Sequence, residues 1–142
     1  MPPADRNVLA CVAGVLLSVV TVRITDKIVH RLYPLPPGVD PKDPAALSAA
    51  ISGMPTMTFV LLVLGWALAA AVGAYAAARL PTRPPMACGL TVGGILLLAT
   101  LANLRMLPHP TWMWGAAIIL LPLAGWLAAK KGSQRVAPAA AA

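Results

Sequence analysis

The sequence predicts an all-α integral membrane protein, an antiparallel bundle of four transmembrane helices with a short interfacial helix in its first long loop, and three observations predict it. First, the 142 residues are 59% hydrophobic and only 11% charged, whereas soluble domains carry about 25% charged residues. In water a compact domain of this size would present large apolar patches. Second, the apolar residues gather into runs near the ~20 residues that a helix needs to cross about 30 Å of hydrocarbon. Third, the runs lack the strict alternation of barrel strands, and lipid satisfies no backbone N–H or C=O group, so each run has to be helical.

The elements follow in order. Residues 1–7 form a polar, cytoplasmic N-terminus. Val8 to Val22 is an apolar run of fifteen residues, about 22 Å of helix, too short to cross alone. Continuation to about His30, a span over residues 8–30, solves this. It places Arg23 inside or at the edge of the hydrocarbon and brings Asp26, Lys27 and His30 near the interface, before Pro34 stops the helix. No small-residue cleavage site follows the run, so the segment is expected to stay in place as a helix.

The loop over residues 34–56 has order of its own. Asp43 and Pro44 make an N-cap and first-turn pair, and Ala45 to Ser52 reads as a short helix ended by Gly53 and Pro55, lying at the interface or capping the bundle. The second span, residues 57–79, is charge-free until Arg79 and is followed by Pro81, Pro84 and Pro85. The third, residues 86–106, is charge-free until Arg105, and the fourth, residues 112–130, closes with Lys130 and Lys131. Pro122 should kink the fourth span. Trp112, Trp114 and Trp126 suit interfacial anchors, and Trp66 receives no role. The connections Pro81–Pro85 and Leu107–Pro110 are short enough to force antiparallel neighbours. Residues 8–131 therefore make one transmembrane domain, and residues 132–142, polar and then alanine-rich, a disordered cytoplasmic tail.

Orientation follows from the basic residues. Six (Arg6, Arg79, Arg83, Lys130, Lys131 and Arg135) share a side with both termini, and five (Arg23, Lys27, Arg31, Lys42 and Arg105) occupy the other, beside Asp26, Asp40 and Asp43. Both termini are thus expected in the cytoplasm. The net charge of +7 sits at span ends instead of lining one stripe, which fits anionic headgroups and not nucleic acid. Alanine, proline and arginine usage suggests a bacterial plasma, or inner, membrane.

In lipid, helices associate where small residues at four-residue spacing let backbones approach. Gly65, Ala69, Gly73 and Ala77 form one such stripe, and Gly89 and Gly93 repeat the spacing, so the second and third spans are expected to be the tightest pair. Cys11 and Cys88, each inside an apolar run and without a C-x-x-C partner, read as small buried hydrophobes.

One constellation carries candidate chemistry. At about 100° per residue, Arg23, Asp26, Lys27 and His30 fall within a roughly 100° arc of the first helix. The alternating topology places them on the side of Asn103, Arg105 and His109, with Tyr33 and Trp112. Such a set would suit an anionic ligand or headgroup, or an Asp26–His30 proton relay at i, i+4. Its bland alternative is snorkelling of Arg23 and Lys27 to headgroups, with Asp26 paired locally to one of them. His30, His109 and Asp26 come from distant segments and make a poor metal set, so no metal and no cofactor is expected. With no glutamate in the chain and no nucleophile motif or glycine-rich phosphate loop, no catalytic residue is assigned.

Length and helix number are like those of the small multidrug transporters, which rely on a first-span glutamate that this chain lacks. The cysteine pairs of the four-helix disulfide-forming membrane oxidoreductases are missing as well. The first functional expectation is a non-enzymatic accessory or structural membrane protein that packs through its small-residue faces against itself, as a homo-oligomer, or against another membrane protein. The second is a small oligomeric transporter or a lipid- or anion-binding protein using the polar face of the first helix. An enzyme acting on a lipid or quinone at the outer interface is the third.

Overall fold

The structure, a computed structural model, describes residues 3–40, 42–80 and 84–134. Among them five helices follow one another: α1 (Pro3–Leu32), α2 (Pro44–Ser52), α3 (Thr56–Arg79), α4 (Pro85–Met106) and α5 (Trp112–Gln134). All but α2 are long and apolar enough to cross a membrane. Their outward faces stay apolar, with Leu98 on α4 69% exposed and Ile119 on α5 65% exposed, a surface that water penalises at roughly 25 cal/mol per Å².

Local chemistry explains the helix ends. Asp5 lies in the first turn of α1 and His30 and Arg31 in its last, each opposing the partial charge of its helix end. The helix begins at Pro3, so the expected N-terminal segment is helical over most of its length. Tyr33 N–H still bonds the Val29 carbonyl at 2.8 Å before Pro34 disfavours further helix. In α2 the Asp43 side chain accepts the Ala45 N–H at 2.9 Å and Pro44 takes the first turn, as the sequence pattern requires.

The expected tail needs a correction at its start. Gly132 to Gln134 continue α5, which runs through Pro122 without a break. The reason is packing: Gly132 is buried, and a Cβ there would lie 2.7 Å from the Tyr75 carbonyl oxygen of α3. That close approach outweighs the helix penalty of glycine, about 1 kcal/mol. The rest of the tail, with Arg135, lies outside the described residues, as do Pro81 and Arg83.

α3 is the central helix, packed on α5, α1 and α4, and its side chains taper. Thr58, Phe59, Val63 and Trp66 are buried in the half near α2, whereas Ala69, Ala70, Gly73, Ala74, Ala77 and Ala78 are buried in the other. At the small end neighbours reach backbone contact. A Cβ on Gly73 would collide with the Ser18 hydroxyl and lie 2.6 Å from the Gly14 carbonyl oxygen. Ser18 donates to the Ala69 carbonyl at 3.0 Å, a bond worth about 0.6 kcal/mol in apolar surroundings. The two cysteines also meet here, Cys11 Sγ lying 3.9 Å from the Cys88 carbonyl oxygen, and both are free thiols.

α3 and α4 are not the tightest pair, contrary to the sequence expectation, because α3 packs most extensively on α5 and then on α1. The glycines show why. Gly65 faces Thr25 of α1, Gly73 faces Gly14 and Ser18 of α1 and also Val92 of α4, Gly93 faces Gly125 of α5, and Gly89 faces Ala129 of α5 as well as Ala74 and Ala78 of α3. A short turn makes two helices neighbours, but a small-residue stripe closes on whichever helix offers matching small residues.

Candidate functional site

The taper of α3 has a geometric result at its bulky end. α1 meets α4 through Cys11 and Val15 against Cys88 and Val92. Towards α2, a cavity of about 490 Å³ separates them, within the size range of small-molecule sites. Val22, Asp26, Val29, His30 and Tyr33 line it from α1 and its end, and Leu96, Ala99, Thr100 and Asn103 from α4. Thr58, Phe59, Leu62 and Trp66 come from α3. Leu35, Leu47, Ile51 and Met54 close it from the α2 side, and Leu107 and His109 complete it. The first long loop and α2 therefore form one part of the cavity wall.

Of the residues singled out in the sequence, Asp26, His30, Asn103 and His109 share this wall. Arg23, Lys27 and Arg105 do not: all three are exposed and none lines the cavity. Helical phase is the cause, since the lining positions 22, 26, 29, 30 and 33 centre on a direction roughly 75–115° from Arg23 and Lys27 at about 100° per residue. Half of the expected polar arc thus faces outward. Among the described residues Asp26 makes no ion pair, with Arg23 and Lys27 included.

The histidines are oriented by backbone. His30 Nδ1 donates to the carbonyl of Asp26 at 2.8 Å, so its i, i+4 contact is with the main chain and not with the carboxylate. His109 Nδ1 donates to the Leu107 carbonyl at 3.0 Å. A carbonyl only accepts, so each Nδ1 carries a proton, and the neutral ring of His109 keeps its acceptor lone pair on Nε2. The His109 ring stands edge-on to Phe59 and Trp66, with centroids 6.3 and 6.1 Å away. Burial pushes the His109 pKa below its ordinary 6.5, against the opposing pull of the Leu107 bond, so the imidazole is neutral near pH 7.

Sequence reading missed the α3 wall. Trp66, left without a role, is 5% exposed and lines the cavity. Thr58 is 2% exposed, and its hydroxyl is the one buried side-chain polar atom without a hydrogen-bond partner among the described residues. The available signal was the spacing of Phe59 and Trp66, seven apart and hence on one face, in the bulky half of a helix whose other half is small. Trp112 is exposed and lines no part of the cavity. Among the described residues no three His, Cys, Asp or Glu side chains converge on a metal-sized point.

The arrangement is a pocket with polar groups at Asp26, His30, Thr58, Thr100, Asn103 and His109 among mainly apolar side chains, so it can hold a molecule by both hydrogen bonds and dispersion. No protein-family model matches the chain, and neither a curated protein nor a solved structure is significantly similar to it.

Proposed function

We propose that this chain is a multi-pass integral membrane protein of a bacterial plasma membrane, an antiparallel bundle with both termini in the cytoplasm, and that it is a non-enzymatic binding protein for a lipid-like ligand. Four long apolar helices support the spans, and the opposed residue order of contacts supports the antiparallel sense: Gly14 with Gly73 and Thr25 with Gly65, then Gly89 with Ala129 and Gly93 with Gly125. In this orientation the cavity lies in the outer half of the bilayer.

The observation that carries the binding reading is the cavity itself, roofed by the α2 loop and set between α1 and α4, with both polar and apolar walls. The stripes that motivated an accessory role are occupied within the chain at Gly65, Gly73, Gly89 and Gly93. Anion binding loses its cations, since Arg23, Lys27 and Arg105 stand outside the wall. A second reading, association with another copy or a partner protein, rests on α1, the least buried of the four long helices.

Native mass spectrometry from gentle detergent tests the proposal, comparing wild type with Ala99→Trp, which fills the α4 rim of the cavity, and Arg23→Ala, which lies outside it. The binding reading expects a defined lipid-sized mass on wild type and Arg23→Ala that Ala99→Trp loses. A bare chain in all three, or a different protein held equally by all three, overturns it, and the second outcome makes the accessory reading the one to pursue.

A further inference from the structure

The cavity's hydrogen-bonding inventory narrows the ligand, on the premise that it is a binding site at all. Asp26 offers a carboxylate and His109 the lone pair of Nε2, because its Nδ1 proton is held by the Leu107 carbonyl, while the Asn103 amide and the Tyr33 and Thr100 hydroxyls can both donate and accept. Beside Phe59 on the α3 wall, Thr58 holds a buried hydroxyl that nothing in the described structure satisfies. No Lys or Arg lines the cavity.

This pattern discriminates between headgroups. A phosphate or carboxylate would bring a negative charge to a wall that holds the Asp26 carboxylate and no Lys or Arg. Burying it there without a partner is strongly unfavourable. A quaternary ammonium would be attracted by Asp26 and by the faces of Phe59 and Trp66, but it has no proton for the His109 Nε2 and no lone pair for the Thr58 hydroxyl, so both would stay unsatisfied. A hydroxyl supplies what these two groups need: a proton for the His109 Nε2 and a lone pair for the Thr58 hydroxyl, which has no partner among the described residues. Leaving such groups unsatisfied is what a buried polar site disfavours most.

The tail has a route. Along the rim of the cavity Ala99 of α4 is exposed and Val22 of α1 is part-exposed, while α2 and its loop close the end. An apolar chain therefore leaves sideways, between α1 and α4, into the surrounding hydrocarbon. We propose that the cavity takes a neutral, hydroxyl-headed amphiphile, of the long-chain alcohol or neutral glyceride class, with its hydroxyl between His109 and Thr58 and its chain passing out between α1 and α4.

Three probes with one mid-chain diazirine each, dodecanol, dodecyl phosphate and dodecyltrimethylammonium, test this in phosphatidylcholine nanodiscs, with labelled peptides read by mass spectrometry. The alcohol is expected to label residues 22–33 and 96–103 about tenfold more than either charged probe, the scale of one buried hydrogen-bond pair. Labelling by the alcohol should fall by a similar factor in Thr58→Val, which keeps the shape, and in His109→Phe, which keeps a ring, and be unchanged in Arg23→Ala. Preference for a charged probe, or equal labelling by all three, overturns the hydroxyl assignment and leaves the cavity as a binding site. Absence of all three probes from these segments overturns the binding reading itself, and the assignment with it.

Discussion

His109 gives its Nδ1 proton to the carbonyl oxygen of Leu107, two residues before it, at 3.0 Å. That local bond, set in the proline-flanked turn between α4 and α5, makes the ring an acceptor at the corner where Phe59 and Trp66 meet it. A loop histidine thereby becomes part of a cavity wall whose other members come from α1, α2, α3, α4 and the segments that join them.

The first prediction concerns pH. Burial holds the His109 pKa below 6.5, so as pH falls the unfolded chain takes up this proton before the folded one. Stability from this residue is fully present above pH 6.5, declines as pH drops below it, and levels off once the folded form is also protonated. Thermal unfolding in detergent should show a Tm that falls by a few degrees between about pH 7.5 and about pH 5.5, with a smaller fall in His109→Phe. Asp26, His30 and Tyr33 line the same cavity and are kept in that variant, so the difference between the two profiles isolates His109. Parallel profiles would refute the assignment.

Packing at the narrow end gives the second. Gly73→Ala sets a methyl against Ser18 and the Gly14 carbonyl and should lower stability by about 1–3 kcal/mol, the cost of overpacking. Gly94→Ala, on the same bundle, meets nothing within 4 Å and should leave Tm at or slightly above wild type. Equal effects would mean that α1 and α3 do not approach as closely as described.

How far these features were legible in the sequence depends on what encodes them. Long apolar runs and the Asp43–Pro44 cap are local, and α2, α3 and α4 lie within a residue or two of their expected bounds. Pairing is not local: Gly65 and Gly73 advertise a close approach but not to which helix, and both approach α1, with Gly73 meeting Val92 of α4 as well. The candidate site divides the same way. Asp26, His30, Asn103 and His109 were visible as polar residues in an apolar chain. The exclusion of Arg23 and Lys27 depends on the rotation of α1, which packing against Gly65 and Gly73 sets. Thr58, Phe59 and Trp66 look like ordinary core until the taper of α3 opens space beside them.

Orientation supplies the third prediction. In a Cys11→Ala, Cys88→Ala background, single cysteines at the exposed positions Lys42 and Lys131 report the two sides of the membrane. With both termini cytoplasmic, a membrane-impermeant maleimide applied to intact bacterial spheroplasts should modify Lys42→Cys and reach Lys131→Cys only after permeabilisation. The reverse pattern would invert the topology and move the cavity to the inner half of the bilayer.

The central claim is that an apolar chain from the bilayer occupies the space between α1, α3 and α4. Val29 and Val92 make the comparison, since both are buried, at 4% and 0% exposure, yet only Val29 lines the cavity. The measurement is methyl-resolved NMR of valine-labelled protein in nanodiscs, reading nuclear Overhauser effects from acyl-chain protons to each methyl group. The account predicts strong transfer to Val29 and none to Val92. Silence at Val29 matching that at Val92 would mean that no chain enters, and the cavity would not be a lipid site.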